Sequence, residues 1–482
     1  MSFLNLNFMY IKPIAPELII TCIALILMLL DLIVRRKEVI ALVGIIGTTL
    51  ALYLTFKVYG LAGPQTVFNG MFVLDGYSSF FKFIFYINAI LTICISLKYM
   101  EIEKAAYGEY YALLLFATAG MMIIASALDL IVLYLGIELM SLSTYILVGI
   151  IRHDTKSNEA AIKYFLLGGF SSAFLLYGAS LIYGLTGTTN IGAIAAFISE
   201  KGFAGNQMLL LSMALFTVAF GFKIAAVPFH MWAPDAYEGA PTSITAFMSV
   251  GPKAAGFAAL GRVFMVAFSS IKVEWSTVLI PLAVLSMCIG NIVAISQTNI
   301  KRMLAYSSIA HAGYALLGVI AGTNSGLSSM MNYMFIYAFM NIGAFAVVIM
   351  LRREGFKGED LSDYEGLAKN HPLAAALMLV FMFSLTGIPP TAGFIAKFYV
   401  FMEVIKTGHV LLAVIAVLFS VASAFFYLRV VMYMYMKEPR GEVILTTSAP
   451  ICIALAVTAL IVIVFGIFPS YLLDFASLAI SG

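Results

Sequence analysis

Five ionisable residues stand where charge is costly: Glu138, Lys163, Lys223, Lys253 and Lys397, all inside long apolar runs. Glu138 lies near the centre of Leu133-Tyr-Leu-Gly-Ile-Glu138-Leu-Met-Ser-Leu-Ser-Thr144. A charge at mid-bilayer costs about 2.5–3.5 kcal/mol on insertion scales, so such groups normally face a bundle interior or a hydrated cavity and mark ion pathways. The chemistry they offer is proton exchange. A buried lysine gives up and regains its proton far more readily than arginine. A carboxylate beside an ammonium forms a pair whose proton affinity changes whenever one partner moves or titrates. Lys223 is the expected partner of Glu138; the plainer alternative is a glutamate hydrogen-bonded to Ser141 or to its own helix. Lys163, early in its helix, is read either as a bridge between Lys223 and Lys253 or as a snorkelling side chain. His230 and His311, the latter near Tyr306 and Ser307, are candidate proton relays or simple helix-packing donors.

The segments that must position these groups are interrupted. Two prolines, Pro228 and Pro234, follow Lys223; Pro389-Pro390 precedes Lys397; Gly251-Pro252 precedes Lys253. Proline removes a backbone donor and blocks the preceding turn, freeing carbonyls that protein or water must satisfy. A purely structural lysine bound to such carbonyls is the alternative role for Lys253 and Lys397. Pro228 and Pro389 are 161 residues apart. A five-helix unit, helices 4–8, is therefore expected to recur as helices 9–13. Five is odd, so the second copy is inverted, and paired broken helices in inverted repeats point to a pathway at mid-membrane. Two unrelated proline kinks are the competing explanation.

Composition agrees with this setting. Apolar residues make up 62% of the 482 and charged residues 11%; mean hydropathy is +1.03. Soluble domains carry about a quarter charged residues. Net charge is +3 without a long basic run, which argues against nucleic acid. Cys22, Cys94, Cys288 and Cys452 are scattered, no His/Asp/Glu group has metal-ligand spacing, and there is no G-x-G-x-x-G or Walker loop. No basic n-region precedes the first apolar run, so a cleavable signal is not expected.

Fourteen segments meet the length for a spanning helix: 14–34, 39–59, 77–97, 110–126, 128–150, 159–184, 207–227, 241–268, 277–296, 302–321, 328–350, 373–404, 409–436 and 448–472. The twelfth and thirteenth are overlong, which signals a break or tilt. The chain reads as one polytopic all-α membrane domain: helices 1–3 in 1–109, a first repeat in 110–268, a second in 277–436, and helix 14 in 448–472. Alternate loops carry fifteen basic residues, from Arg35 to Arg440, against Lys12, Lys201, Lys272 and Lys406 on the other side. That bias places both termini outside an inner (plasma) membrane. Lys57, Lys82, Arg262 and Arg429 are expected to snorkel from helix ends.

At Lys223-Ile-Ala-Ala-Val-Pro-Phe-His-Met-Trp-Ala-Pro-Asp-Ala-Tyr-Glu-Gly-Ala-Pro-Thr242 the chain resembles the antiporter-like membrane subunits of respiratory complex I, in the N-type rather than the L- or M-type form. Further matching stretches begin at Phe72, Glu159, Asn299 and Gly387, so the resemblance covers essentially the whole chain. It implies a fourteen-helix, proton-translocating subunit of NADH:quinone oxidoreductase, with two inverted half-channels joined by a polar axis. It also implies roles in the relay for Glu138, Lys223, Lys253 and Lys397. Pro252 directly before Lys253 departs from the pattern and puts the local geometry there in question. On this resemblance the chain binds no cofactor; NADH, FMN, iron–sulfur clusters and quinone belong to partner subunits. The partners it implies are an M-type antiporter-like subunit and small K- and J-type subunits. An Mrp-type cation/proton antiporter subunit, the equivalent subunit of a related hydrogenase or plastoquinone-linked complex, and a structural scaffold remain alternatives.

Overall fold

The computed structural model describes residues 11–202, 206–439 and 444–481; Arg440, counted among the loop cations, lies outside them. The helices, in order, are α1 (Ala15–Ile33), α2 (Lys37–Ala62), α3 (Gly76–Ile102), α4 (Gly108–Ser126), α5 (Leu130–Val148), α6 (Thr155–Thr186), α7 (Ile191–Lys201), α8 (Gln207–Lys223), α9 (Trp232–Gly239), α10 (Thr242–Arg262), α11 (Lys272–Ser296), α12 (Ile300–Ile320), α13 (Asn324–Leu351), α14 (Leu367–Asn370), α15 (Pro372–Thr386), α16 (Ala392–Lys406), α17 (Val410–Met436), α18 (Ala449–Ile467) and α19 (Ser470–Ser481). Strands β1 (Gln65–Val67) and β2 (Phe72–Leu74) pair as one antiparallel hairpin. Among the described residues, twelve helical stretches are long and apolar enough to cross a membrane. The all-α membrane class expected from composition is the one observed.

Local chemistry sets the helix starts. Asp75 caps α3 in a reciprocal capping box, Asp129 caps α5, Asp154 caps α6, Asn299 caps α12 and Thr323 caps α13. Each side-chain oxygen takes up a backbone N–H that the first helical turn leaves without a partner. Twelve of the fourteen expected spans coincide with one long helix each, while the seventh (207–227) meets only α8 and the twelfth (373–404) is divided into α15 and α16. The overlong thirteenth segment is one unbroken helix, α17. The last ends at Ile467, where Pro469 stops it, and the chain restarts as α19. Helix α7 and the β-hairpin are too short to register in a search for spanning segments.

The centre of the bundle is α13, buried at every residue from Gly326 to Leu351. Helices α3, α10, α12, α15, α16, α18 and α19 pack around it. Close approach elsewhere depends on glycine. A Cβ on Gly120 of α4 would stand 2.5 Å from the Met140 nitrogen and 2.8 Å from the Gly136 oxygen of α5. Each of these positions shifted by 170 residues gives the same arrangement: a Cβ on Gly290 would stand 2.6 Å from the Ala310 nitrogen and 2.8 Å from the Tyr306 oxygen. The same shift relates two isolated backbone bridges, Asp129 with Asn190 and Asn299 with Asp360.

Lys82 corrects one expectation. It does not snorkel. Its ammonium is fully buried and pairs with buried Glu17 of α1 at 2.6 Å. Arg262 is likewise buried, held by both Asp75 oxygens at 2.6 and 2.9 Å. Lys57 is exposed, as expected. Arg429 is half-buried and donates to the carbonyls of Ile295 and Gln297, where a cation complements the C-terminal end of α11.

Candidate functional site

The break between α15 and α16 builds a cation site from its own defects. In an unbroken helix the carbonyls of Leu385 and Thr386 would accept from residues 389 and 390, both prolines without an N–H. Lys397 supplies the missing donors. Its Nζ lies 3.0 Å from the Leu385 oxygen, 2.8 Å from the Thr386 oxygen and 2.9 Å from Ser420 Oγ. Gly387, at φ +88°, turns the chain out of α15 where a side chain would be strained. A Cβ on Gly393 would lie 1.7 Å from the Ser384 oxygen, so only glycine lets α16 dock this closely. Lys397 is therefore held by the freed carbonyls its sequence context suggested, and its Nζ also sits 4.9 Å from the centre of the Tyr314 ring.

The other break separates α8 from α9. Val227 N–H turns away from the helix to donate to Ser286 Oγ at 2.9 Å, and Trp232 Nε1 donates to the Phe222 carbonyl at 2.9 Å. Trp232 stacks on Tyr164 of α6, with ring centres 4.4 Å apart. Lys223, the last residue of α8, is buried and donates to Ser141 Oγ at 2.8 Å. Glu138, one turn before Ser141 on α5, is half-buried and accepts a hydrogen bond from Ser172 of α6. The expected Glu138–Lys223 contact is thus indirect. Both groups reach the same turn of α5, and the hydroxyl of Ser141 stands where direct pairing was expected.

Lys253 belongs to the same neighbourhood. Gly256, one turn further along α10, lets the Lys223 stem pack against that helix, since a Cβ there would be 3.3 Å from Lys223 Cβ. Helix α10 continues through Pro252 without a break. Lys253 Nζ donates to the Ser308 carbonyl at 2.7 Å and also contacts Ser308 Oγ. From the adjacent Ser307 a hydrogen-bonded chain runs on. The hydroxyl of Tyr427 meets Ser307 and lies 3.0 Å from His311 Nε2, while His311 Nδ1 lies 2.6 Å from the Tyr333 hydroxyl. The Tyr314 ring is 5.9 Å from the imidazole and also faces Lys397. His311 accordingly lies between Lys253 and Lys397. Tyr427, Tyr333, Ser308 and Ser172 were not singled out from the sequence; only the short spacing from Ser307 and His311 to Ser308 hinted at one of them.

Two candidates stand apart. Lys163 does not bridge Lys223 and Lys253. It is 43% exposed and pairs with Glu159 at 2.7 Å and Asp235 at 2.9 Å. Asp235 and Glu238 each accept from Arg302 at 2.9 Å, and Lys156 reaches Glu238 at 3.0 Å. These groups line a cavity of about 200 Å³. The reason is positional: Lys163 is two turns into α6, level with the first turn of α9, which carries Asp235. Lys301, buried beside this cluster, donates to the carbonyls of Glu238 and Ala240 at the C-terminal end of α9. His230 is buried in the break, and its Nδ1 has no hydrogen-bond partner among the described residues. Among those residues there is also no group of three His, Cys, Asp or Glu able to hold a metal.

The fold and this line of buried cations define a class, a polytopic all-α membrane protein with charge in its interior. Residues 127–423 match the family described as NADH:quinone oxidoreductase/Mrp antiporter, TM. A relative from Trichlorobacter lovleyi, NADH-quinone oxidoreductase subunit N, is 49% identical over 99% of this chain and 97% of its own length. Among solved structures, a chain of respiratory complex I from Thermus thermophilus with bound aureothin superposes with a TM-score of 0.82 at 31% identity, covering 95% of this chain and 98% of that one. A chain of the Mrp complex from Dietzia sp. shares the fold, with a TM-score of 0.85 at 21% identity over 98% and 97% of the two chains. The chain belongs to this antiporter-like family, in its NADH-quinone oxidoreductase subunit N branch.

Proposed function

We propose that the chain is a proton-translocating membrane-arm subunit of an NADH:quinone oxidoreductase, without redox chemistry of its own. One observation carries this reading. Lys223, Lys253 and Lys397 are buried, and among the described residues the hydrogen bonds of each go to uncharged oxygens, with no carboxylate in direct contact. An ammonium so held can lose its proton without stranding a buried carboxylate, so the cost of a cycle is smaller than for a buried ion pair. The proton then passes from the Glu138–Lys223 turn to Lys253, through Ser307, Tyr427 and His311, and on to Lys397. Water at the two breaks closes the gaps between these groups.

The 170-residue correspondence of glycine contacts and backbone bridges supports two inverted repeats, with boundaries near 110–268 and 277–436. Counting each proline-broken pair as one crossing gives the fourteen spans of the sequence reading. The relatives' names support a place in a multi-subunit respiratory complex; to its other subunits we assign the M-, K- and J-type membrane partners and the NADH, FMN, iron–sulfur clusters and quinone. The excess of loop cations on one side supports an orientation with both termini outside, in what we take to be the plasma membrane.

The test is substitution with complex content held normal. Glu138→Gln and Lys223→Ala should each lower proton pumping and coupled quinone reduction. Undiminished rates in both variants would sink the assignment. Sodium-dependent transport by the purified chain would favour an Mrp-type antiporter instead.

A further inference from the structure

The relay ends beside a cavity that none of its residues explains. The first turns of α13 are polar along one face: Ser325, Ser328, Ser329 and Asn332 recur at the spacing of a single helical stripe. They line a cavity of about 290 Å³ between α13, α16 and α19, room for several water molecules. Asn332 directly precedes Tyr333, the hydroxyl bonded to His311 Nδ1. Asn332 is only 3% exposed, yet its Oδ1 has no partner among the described residues. An amide oxygen left so in a buried site is a place for ordered water.

Across the cavity stands Glu403 on α16, 6% exposed and 2.7 Å from the ammonium of Lys406, which is itself largely exposed. It is six residues beyond Lys397 on the same helix, about 9 Å along the axis. Tyr399 lies one turn before it, and Asp474 of α19 is at the exposed rim. Because α15 enters from the loop side rich in cations, the end of α16 is on the opposite side, and so is the start of α13.

We infer that this cavity is the outer mouth of the proton path and that Glu403 is its proton-carrying group. The inference rests on the proton-translocating reading above. A proton arriving from Lys397 through cavity water adds to the Glu403 carboxylate. Neutral Glu403 releases Lys406, whose ammonium turns to bulk water; loss of that proton to the outer side restores the pair. No electrons move, and no other covalent bond forms or breaks. The uncharged groups Ser328, Ser329 and Asn332 orient water, and Tyr399 and Asp474 are the remaining titratable groups facing the cavity.

The experiment uses the assembled complex in cells and membranes. A cysteine at Ser328, scored against the parent protein with its own cysteines, should react with a membrane-impermeant maleimide added to intact cells, and the reacted complex should pump several-fold less. Glu403→Gln should lower the protons pumped per quinone reduced, with Glu403→Asp retaining most of the pumping. Absence of labelling overturns the inference, as does full pumping by the labelled complex or by Glu403→Gln. If Glu403→Gln fails to assemble, labelling at Ser328 and the aspartate variant still decide. Failure here, with Glu138→Gln and Lys223→Ala still uncoupled, removes the mouth and leaves the translocating function standing.

Discussion

Lys82 of α3 and Glu17 of α1 form an ion pair at 2.6 Å with both side chains buried. The pair lies outside the stretch that matches the family, 127–423. Neither group has another hydrogen-bond partner among the described residues, although the Phe72 ring lies 5.2 Å from the ammonium. Removing one member of such a pair leaves an uncompensated buried charge and costs about 3–5 kcal/mol, whereas replacing both by apolar residues is close to neutral. Lys82→Met should therefore lower the thermal stability of the detergent-solubilised chain sharply. Glu17→Leu combined with Lys82→Met should recover most of it. A double variant no more stable than the single one would show that the two residues do not act as a pair.

At the break between α15 and α16, Lys397 donates to stranded carbonyls and is also the proposed proton carrier. Lys397→Arg keeps a donor-bearing cation but one that does not release its proton, so assembly should persist while pumping falls. Lys397→Met strips donors from the Leu385 and Thr386 carbonyls, at about 1–3 kcal/mol for each buried group left unsatisfied, so assembly should fall as well. Complex content on native gels, read beside pumping, separates the two. Equal pumping by the arginine variant and the parent would remove Lys397 from the relay.

The hydroxyl of Tyr427 joins Ser307 to His311. Tyr427→Phe deletes that link and little volume. Each lost hydrogen bond costs about 0.5–1.5 kcal/mol, too little to prevent assembly. Pumping should drop while complex content stays near normal, measured by proton uptake in inverted vesicles. Unchanged pumping would route the proton around Tyr427.

Glu354, in the loop after α13, pairs with Lys104 of the loop between α3 and α4, both side chains 77% exposed. A cysteine at Glu354 should resist an impermeant thiol reagent in intact cells and react in inverted vesicles. Ready labelling in intact cells would reverse the orientation drawn from the loop cations.

Most of the bundle was legible because the signal is long and one-dimensional: an apolar run shows its length, and prolines mark its breaks. Lys223, Lys253, His311 and Lys397 were legible for the same reason, since a charge amid twenty apolar residues is visible without knowing its neighbours. What the sequence does not carry is which distant helix arrives. Lys82 looks like a residue two turns from a helix start until α1 brings Glu17 to it. Lys163 looks equivalent to the deep lysines until α9 presents Asp235. Ser141 was visible beside Glu138, but only the placement of α8 decides that Lys223 takes the serine. Helix α19 escaped a search tuned to membrane thickness because it runs only from Ser470 to Ser481.

Helix α13 meets no lipid from Gly326 to Leu351. A helix at the bilayer boundary adjusts its tilt when the membrane thickens or thins. One wrapped entirely in protein answers only to its neighbours. Two of those neighbours, α10 and α16, carry Lys253 and Lys397. The depth of the buried ammonium groups is thus referenced to a protein spine, and outer helices such as α17, with one apolar flank exposed, absorb the mismatch. Changing lipid chain length should alter how the chain sits in its membrane before it alters the spacing between Lys253 and Lys397.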